Sequence, residues 1–407
     1  MNYSIRIVAF PLRRNFPPQL NSGKRFNMAK AHYDLAVIGA GIVGLAHALA
    51  AARLGKSVVV IDRDAAANGA SIRNFGFVTV TGQQAGDCWE KAWRSRAIWA
   101  EVAEEARIPV LQNGLTMTAR RPKAEAVIDA FLKTDMAEGC RRLSISEAAA
   151  LSPSLRTDNI TAALYSPHEL RVESRDALPR LAAWLKERYG VKFLWQTSVT
   201  SVETPRITTS RGEIHADAAV VCPGDDFSAL FSERIAPYEV TRCKLQMLRV
   251  VPENPTRLGT AVMSDLGLAR YLGYAELPEA EALKQRLDTE QAELRENGVH
   301  LIVVQSADGS LVVGDSHHYS ATPDPFLHKR VNELILQEMD AVLDLGAYAV
   351  SESWMGTYAS ASGRWRFTDA PDDATRIVVV TAGCGASTAF AIGEETISDL
   401  FGKGAAA

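Results

Sequence analysis

The sequence predicts an α/β protein in which a domain with a parallel sheet is interleaved with a second domain, an α+β unit with a mixed sheet. The first observation is local. An apolar run at 35–38 is followed by an Ala- and Leu-rich helical pattern over 42–54 and a second apolar run at 58–61, an order typical of a βαβ unit. The second observation is that further apolar runs, at 218–222 and 376–381, lie far along the chain. Because strand-rich segments at 240–275 and 299–316 stand between them, we expect the two domains to alternate along the chain.

Three glycines and one aspartate give the βαβ unit a nucleotide-binding pattern. Gly39, Gly41 and Gly44 follow the first strand, and Asp62 ends the second. The first glycine suits a tight turn, the second lets the backbone approach a pyrophosphate, and the third lets helix and strand pack closely. A carboxylate at the end of the second strand is placed to meet a ribose hydroxyl. Because all these features are in register, the sequence predicts a Rossmann-like dinucleotide-binding unit.

The remaining elements complete the two domains. Helices are predicted over 87–107, 123–138, 146–151, 175–189, 279–297, 325–343 and 389–401, with Ser146 at the N-cap of the third. Short strands are predicted over 191–195, 198–203 and 206–209. The nucleotide-binding domain is expected to comprise segments 33–85, 150–232 and 352–402, and the second, substrate-binding domain segments 86–149 and 233–351. Residues 1–32 contain six Lys and Arg and no Asp or Glu. They predict a disordered leader, with a transit-like peptide or a true start at Met28 as alternatives.

Composition excludes several classes of protein. The chain has 407 residues, of which 47% are hydrophobic and 23% charged, as is usual for a globular protein of two domains. Its net charge of −4 gives no electrostatic case for nucleic acid. No apolar run reaches the length of a transmembrane helix. The five cysteines are scattered and form no CxxC pair, so that reduced thiols and a cytoplasmic location are expected.

At this point the residues resemble a known family, the D-amino-acid-oxidase-like flavoproteins, over about 33–400. The first landmark is the Gly39-Ala-Gly41-Ile-Val-Gly44 turn with Asp62-Arg63. The second is Val220-Val-Cys-Pro-Gly224, similar to the family's second strand and glycine turn. The third is the glycine-rich segment from Gly383 to Thr388, similar to the family's closing loop. A helix after that loop would direct its N-terminal N–H groups at the pyrimidine end of a flavin, where a reduced flavin carries negative charge. The resemblance implies FAD, and no cysteine stands where we would expect a covalent link, so we expect non-covalent binding.

The resemblance also implies which residues contact the cofactor. Ser71 would donate to phosphate, Arg73 and Asn74 would lie near the ring, and Val199 would contact adenine through its backbone. The whole implied set is Gly39, Gly41, Ile42, Val43, Gly44, Asp62, Arg63, Ser71, Arg73, Asn74, Val199, Gly224, Gly383, Gly385, Ala386, Ser387 and Thr388.

One departure from the family concerns the substrate. Relatives that act on glycine or D-amino acids have a Trp-x-Gly-x-Arg pattern whose arginine grips the carboxylate. Here the segment is Trp354-Met-Gly-Thr-Tyr358, with tyrosine in that place. We therefore expect Arg73 or Arg270 to hold an anionic group, since a guanidinium suits carboxylate and phosphonate alike. The loop around Arg73 also resembles a narrower subgroup associated with phosphonate metabolism. The predicted substrate-binding set is Arg73, Gln246, Arg270, Tyr271, His317, Trp354 and Tyr358.

The resemblance implies an enzyme that oxidises the C–N bond of a small anionic amine, which would be an amino acid, an N-methyl amino acid or an aminophosphonate. Hydride transfer to the flavin and hydrolysis of the imine would complete the reaction, with O2 or another acceptor taking the electrons. His317 and Tyr358 are the predicted catalytic residues, His317 or its neighbour His318 being able to orient or deprotonate the amine. A flavin-dependent 2-hydroxy acid oxidase or dehydrogenase and a non-catalytic FAD-binding subunit remain alternatives. No metal is predicted, because the His317-His318 pair has no carboxylate or cysteine at ligand spacing.

Overall fold

The computed structural model describes residues 32–402, so the predicted leader lies outside the described residues apart from its last position. The described residues form 18 strands: β1 (His32–Ile38), β2 (Val58–Ile61), β3 (Phe77–Val78), β4 (Val110–Ala119), β5 (Arg141–Leu143), β6 (Ala162–Val172), β7 (Lys192–Leu194), β8 (Val199–Glu203), β9 (Arg206–Thr209), β10 (Gly212–Val221), β11 (Thr241–Pro252), β12 (Ala261–Met263), β13 (Ile302–Gln305), β14 (Leu311–Gly314), β15 (His318–Ser320), β16 (Tyr348–Ser360), β17 (Arg366–Asp372) and β18 (Thr375–Val380).

The same residues form 11 α-helices: α1 (Ile42–Arg53), α2 (Asp87–Glu105), α3 (Pro122–Phe131), α4 (Ile145–Leu151), α5 (Ser174–Tyr189), α6 (Ser232–Ile235), α7 (Leu272–Ala275), α8 (Ala280–Glu290), α9 (Ala292–Glu296), α10 (Lys329–Val342) and α11 (Gly385–Phe401). In the part of the chain that the structure describes, no helix is both long and apolar enough to cross a bilayer.

The strands form two sheets, and the predicted α/β fold with an interleaved mixed sheet is confirmed. The first sheet has eight strands, with β17-β18-β10-β1-β2-β7 in order and the β8–β9 hairpin beside β10. Its strands β18, β10, β1, β2 and β7 run parallel, as expected for the βαβ unit and the two distant apolar runs. The second sheet has ten strands, with β15-β11-β14-β13-β12-β4-β6-β3 in order, β16 beside β11 and β5 beside β6.

The two sheets do not follow the predicted domain boundaries throughout. β6 and most of β16 lie in segments expected in the nucleotide-binding domain, yet both strands belong to the second sheet. Other elements are shifted. The N-cap of α4 is Ser144, whose side chain accepts from the Glu147 amide in a capping box, instead of Ser146. The charged helix predicted over 279–297 is broken at Gln291 into α8 and α9.

The two faces of β11 meet different parts of the molecule, because successive side chains of a strand point to opposite sides. Gln246 is buried and binds α10, where its Nε2 donates to the His328 carbonyl and to Asn332 Oδ1. Leu245 and Met247 point the other way, towards Arg73 and Phe75 of the loop after β2. The side with Leu245 and Met247, with their β16 partners Gly356 and Trp354, therefore faces the nucleotide-binding domain.

Candidate functional site

The turn between β1 and α1 is built so tightly that only glycine fits. Gly39 has a φ of +104°, and a Cβ there would lie 2.5 Å from the Cys222 carbonyl oxygen at the end of β10. A Cβ on Gly44 would lie 1.9 Å from the Gly39 carbonyl oxygen. The N-terminus of α1 is thus pressed against the ends of β1 and β10, as required where a helix N-terminus cradles a phosphate.

Ser71 and Asp62 border this turn from two sides. Ser71 Oγ accepts a hydrogen bond from the Ile42 amide at 2.9 Å and lies 3.0 Å from the position of a Cβ on Gly41. Asp62 Oδ2 accepts from the Ala40 amide at 2.7 Å, so the carboxylate at the end of β2 lies beside the glycine turn. These placements fit a dinucleotide whose pyrophosphate lies at Gly41 and whose ribose lies at Asp62.

The residues around Asp62 connect the first two landmarks. The Thr197 amide donates to the Asp62 carbonyl at 2.9 Å, which brings the start of β8, with Val199, close to the same strand end. Arg63 forms an ion pair with Asp226 at 2.6 Å, just beyond Gly224. The ion pair therefore brings the Arg63 side chain to the end of the second landmark.

The loop after β2 is held mainly by its own hydrogen bonds. Asn74 Nδ2 donates to the Ala70 carbonyl, while Asn74 Oδ1 accepts from the Gly76 amide and from Ser174 Oγ. The Arg73 carbonyl accepts from Trp354 Nε1 at 3.2 Å. Asn74 thus shapes the loop, and Arg73 and Trp354 lie together at one end of the face formed by β11 and β16.

The N-terminus of α11 lies beside that of α1. A Cβ placed on Gly385 would lie 3.9 Å from the Val43 side chain, and Ser387 Oγ accepts a hydrogen bond from the Thr79 amide at 2.8 Å. The Ser387 and Thr388 amides are bonded to the Cys384 carbonyl. The first N–H groups of a helix have no partner within it, so the amides of Gly385 and Ala386 are placed to donate to a ligand. The predicted start of this helix at 389 is wrong by one turn, and the turn that was missed is the one that faces the site.

At the other end of the β11–β16 face lies a group that we call the Arg270 cluster: Cys243, Arg270, Tyr271, His300, Asp315, His317, Tyr319 and Tyr358. Arg270 Nη2 donates to Tyr319 Oη at 3.1 Å. Tyr358 stands opposite Cys243, and its ring lies 3.1 Å from the position of a Cβ on Gly383, whose φ is +69°. The Tyr358 and His317 ring centroids are 6.4 Å apart. The cluster therefore adjoins the loop that begins α11.

Burial sets the charge states of this cluster. Burial lowers the pKa of His317 well below its usual value, and the positive charge of Arg270 lowers it further, so the imidazole is neutral at physiological pH. Burial raises the pKa of Tyr358 well above its usual value, which keeps the phenol protonated. Burial alone would lower the pKa of Arg270, but Tyr319, Tyr358 and Asp315 outweigh it and raise that pKa. The site combines a fixed cation with neutral donors and acceptors.

The structure brings together four of the residues predicted to bind substrate, namely Arg270, Tyr271, His317 and Tyr358. Arg73 and Trp354 lie together elsewhere on the face, and Gln246 lies on the opposite side of β11, so we leave Gln246 out of the proposed site. The neighbour His318 contacts Asn297 Oδ1 at 3.1 Å instead of joining the cluster. Lys244, which shares the Gln246 side of β11, is bound to Asp324 and to the Phe326 carbonyl.

Sequence reasoning missed His300 and Asp315. The His300 ring lies 5.0 Å from that of His317 and 5.4 Å from that of Tyr271. His300 Nδ1 is 3.0 Å from Asp315 Oδ1, and His317 Nε2 is 3.8 Å from Asp315 Oδ2. The sequence predicts no metal, for want of a carboxylate at ligand spacing, and the fold brings one close. One atom from each of His300, Asp315 and His317 lies within 4.8 Å of the other two. The Asp315 carboxylate, two positions before His317, was the signal that could have been followed.

Comparison with known proteins agrees with this fold. The model of the family described as FAD dependent oxidoreductase matches residues 34–398. Glycine oxidase from Bacillus cereus superposes with a TM-score of 0.73 at 17% identity, covering 91% of this chain and 95% of that one. L-proline dehydrogenase from P. horikoshii has a TM-score of 0.73 at 18% identity, over 91% and 93% of the two chains. Iminodiacetate oxidase from Chelativorans has a TM-score of 0.67 at 21% identity, over 90% and 95%. None of the curated proteins matches this chain in sequence.

Proposed function

The chain belongs to the FAD dependent oxidoreductase family, and we propose that it oxidises the C–N bond of a small amine that carries an anionic group. The observation that carries the proposal is the Arg270 cluster. A half-buried cation, a neutral histidine and the protonated phenols of Tyr271 and Tyr358 adjoin the loop that starts α11. The names of the structural neighbours support the same class, since glycine oxidase, L-proline dehydrogenase and iminodiacetate oxidase are all named for amines that bear carboxylates.

FAD is the cofactor of the family, and the residues of this chain fit it. The glycine turn and Ser71 would hold the pyrophosphate, Asp62 the ribose, and the free amides of Gly385 and Ala386 the pyrimidine end of the flavin. When bound, FAD accepts the hydride that leaves the carbon next to the substrate nitrogen. Non-covalent attachment stays a prediction.

The chain's own residues bind and orient the substrate in this proposal. Arg270 holds the anionic group, because its half-buried guanidinium donates to a phenol and an anion would supply the opposite charge it lacks. Among the residues that the structure describes, none of the carboxylates forms an ion pair with Arg270. Arg270 is open to solvent on one side, where a surface pocket of about 390 Å³ is lined by Arg270, Asp288, Arg295, Glu296, Gly298 and Val299 among others. His317 and Tyr358 then position the nitrogen, His317 as an acceptor and Tyr358 as a donor.

Asp62→Ala should weaken FAD binding by about ten- to a hundredfold. The ribose would lose a charge-assisted hydrogen bond of about 1.5–3 kcal/mol, and the Ala40 amide would lose its acceptor. Fluorescence titration of apoprotein with FAD measures the change. Asp64→Ala is the matched control, because Asp64 is exposed and contributes only backbone hydrogen bonds here. Equal affinities for the two variants would place the ribose contact elsewhere.

Anaerobic mixing with small amines should bleach the flavin, which tests the reaction itself. We expect reduction by at least one member of the carboxylate pair glycine and N-methylglycine or of the phosphonate pair 2-aminoethylphosphonate and 2-(methylamino)ethylphosphonate. Lactate is the control, since neutral His317 could also accept a hydroxyl proton and so favours a 2-hydroxy acid as the second candidate substrate. If lactate bleaches the flavin and none of the amines does, a 2-hydroxy acid replaces the amine as the proposed substrate.

A further inference from the structure

His300, Asp315 and His317 form a triangle of polar atoms that lacks internal hydrogen bonds. All three side chains are buried, with relative exposures of 3%, 4% and 7%. His300 Nδ1 and Asp315 Oδ1 have no hydrogen-bond partner among the described residues, although they lie only 3.0 Å apart. Buried polar atoms in native proteins are almost always paired. The triangle therefore points to a partner that a folded chain alone does not supply.

The protonation of His317 shows what kind of partner the triangle needs. His317 Nδ1 lies 2.9 Å from the Gly298 carbonyl oxygen, which can only accept, so Nδ1 carries the proton. Because the imidazole is neutral, its Nε2 has a lone pair, and this lone pair faces Asp315 Oδ2 at 3.8 Å. Acceptors that face each other across a buried space repel unless a proton or a cation lies between them. At neutral pH the raised pKa of Asp315 supplies that proton. Once Asp315 is ionised, the triangle calls for a hydrogen-bond donor with positive charge.

We propose that Asp315, with His300 and His317, binds the ammonium group of a primary amine and that Asp315 accepts its proton before oxidation. The inference rests on the proposed function and deepens it by naming the form of the amine. A primary ammonium has three N–H donors, one for each corner of the triangle. The three acceptor atoms lie within 4.8 Å of one another, so a nitrogen placed off their plane can lie about 2.8 Å from each, which is within the range of an N–H hydrogen bond.

Arg270 and the triangle together match both ends of such a substrate. Arg270 belongs to the same cluster, and its charge affects both histidines and Asp315. The Arg270 guanidinium nitrogens lie more than 4.0 Å from the Asp315 carboxylate oxygens, so the two groups do not form an ion pair. An anionic group at Arg270 and a cationic nitrogen at Asp315 would satisfy both. A divalent metal in the triangle would instead add two positive charges beside Arg270, which makes ammonium the better occupant.

The proton transfer balances with groups in the site. An ammonium N–H bond breaks, the proton goes to the Asp315 carboxylate, and the products are a carboxylic acid and a free amine. The free amine keeps the lone pair that supports loss of hydride from the adjacent carbon to FAD. The ammonium and the carboxylate that precede this transfer are costly in a buried site, because burial disfavours two opposite ions relative to two neutral groups. Burial raises the pKa of Asp315 to about 8, so the ionised form that accepts the proton grows as the pH rises towards 8 and predominates above it.

The inference makes a selectivity prediction, because an N-methylated ammonium has one donor fewer. It would leave one acceptor of the triangle unpaired and place a methyl group against it. We expect kcat/KM for the primary amine to exceed that for its N-methyl counterpart at least tenfold, for glycine against N-methylglycine and for 2-aminoethylphosphonate against 2-(methylamino)ethylphosphonate. An N-methyl amine that is equally good or better would overturn the assignment of the triangle to a primary ammonium.

A binding experiment tests the role of Asp315 without turnover. The ligands are 2-aminoisobutyrate and pivalate, or the phosphonates 2-amino-2-methylpropylphosphonate and 2,2-dimethylpropylphosphonate. Within each pair the anionic group is the same and the shapes match. The amine member has no hydrogen on the carbon next to nitrogen, so it cannot be oxidised. Perturbation of the flavin spectrum of the holoenzyme reports binding. Asp315→Asn should weaken the amine ligand at least thirtyfold and leave its amine-free partner within threefold, which also shows that the variant is folded and holds FAD.

His318→Gln is the matched control, because His318 adjoins His317 in sequence but contacts Asn297 outside the triangle; both ligands should bind it as they bind the unsubstituted enzyme. Equal losses for both ligands in Asp315→Asn, or none for the amine, would overturn the inference while amine oxidation survives. If no amine reduces the flavin, the proposed function fails and the inference with it. Stoichiometric metal in the purified protein, lost in Asp315→Asn, would also overturn it by identifying the triangle as a metal site.

Discussion

Gly44→Ala is expected to weaken FAD binding at least about a hundredfold, although alanine is the better helix former. In an exposed helix interior this change would stabilise the protein by up to about 1 kcal/mol. Here the new Cβ would lie 1.9 Å from the Gly39 carbonyl oxygen, a backbone atom that cannot swing aside. Relieving the clash must move α1 away from the turn that we assign to the pyrophosphate. Overpacking of this kind costs about 3 kcal/mol or more, which corresponds to at least about a hundredfold loss of FAD affinity.

The control for Gly44→Ala is Gly55→Ala, just beyond the other end of the same helix. Gly55 has a φ of +73° and open space where the Cβ would go. Alanine there strains the backbone by about 1 kcal/mol, so the melting temperature of the apoprotein should fall slightly while FAD affinity stays the same. FAD titration and thermal melting of both variants separate the two effects. Gly44→Ala protein purified with a full complement of FAD would show that the cofactor does not depend on this contact.

The sequence was enough to predict the βαβ unit because its signals are local. Apolar strands, helix and glycines fall within about 30 residues. Gly44 is required by a contact inside the unit and Gly39 by one with Cys222 just after β10, while Gly41 meets Ser71 of the following loop. The second sheet was harder to predict. β6 contains Pro167, His168 and Glu169 within 11 residues, which hides the period of a strand. The N-terminal half of β16 is largely exposed and partly polar, so this strand shows only a weak apolar pattern.

The substrate side shows why single residues were easier to predict than their grouping. Arg270, Tyr271, His317 and Tyr358 were expected near a flavin from family resemblance. The side chains of His300 and Asp315 meet because these two residues pair just before β13 and just after β14. Their backbone amides and carbonyls exchange hydrogen bonds of 3.0 and 3.2 Å. No pattern in the sequence predicts that pairing. Gln246 was misplaced for a related reason, since a buried strand residue faces one of two sides and composition does not say which.

Arg270→Met should weaken binding of the anionic ligands at least about a hundredfold while changing flavin reduction at saturation much less. Methionine keeps most of the side-chain volume but removes the cation, so the anion loses a charge-assisted partner worth about 3 kcal/mol. A contact that is equally strong in the bound substrate and the transition state contributes to affinity rather than to the chemical step. Arg270→Lys should bind with intermediate affinity, since lysine keeps the charge but not the planar pair of donors.

Three variants make this test specific, with pivalate or 2,2-dimethylpropylphosphonate as the ligand and stopped-flow reduction as the second measurement. Arg295→Met is the matched control, because Arg295 lines the same surface pocket but is paired with Asp288 at 2.7 Å; it should bind the ligand within threefold of the unsubstituted enzyme. Arg73→Met tests the rival arginine at the other end of the β11–β16 face. If Arg73→Met loses the ligand and Arg270→Met keeps it, the anion lies beside Trp354, and the Arg270 cluster has another role.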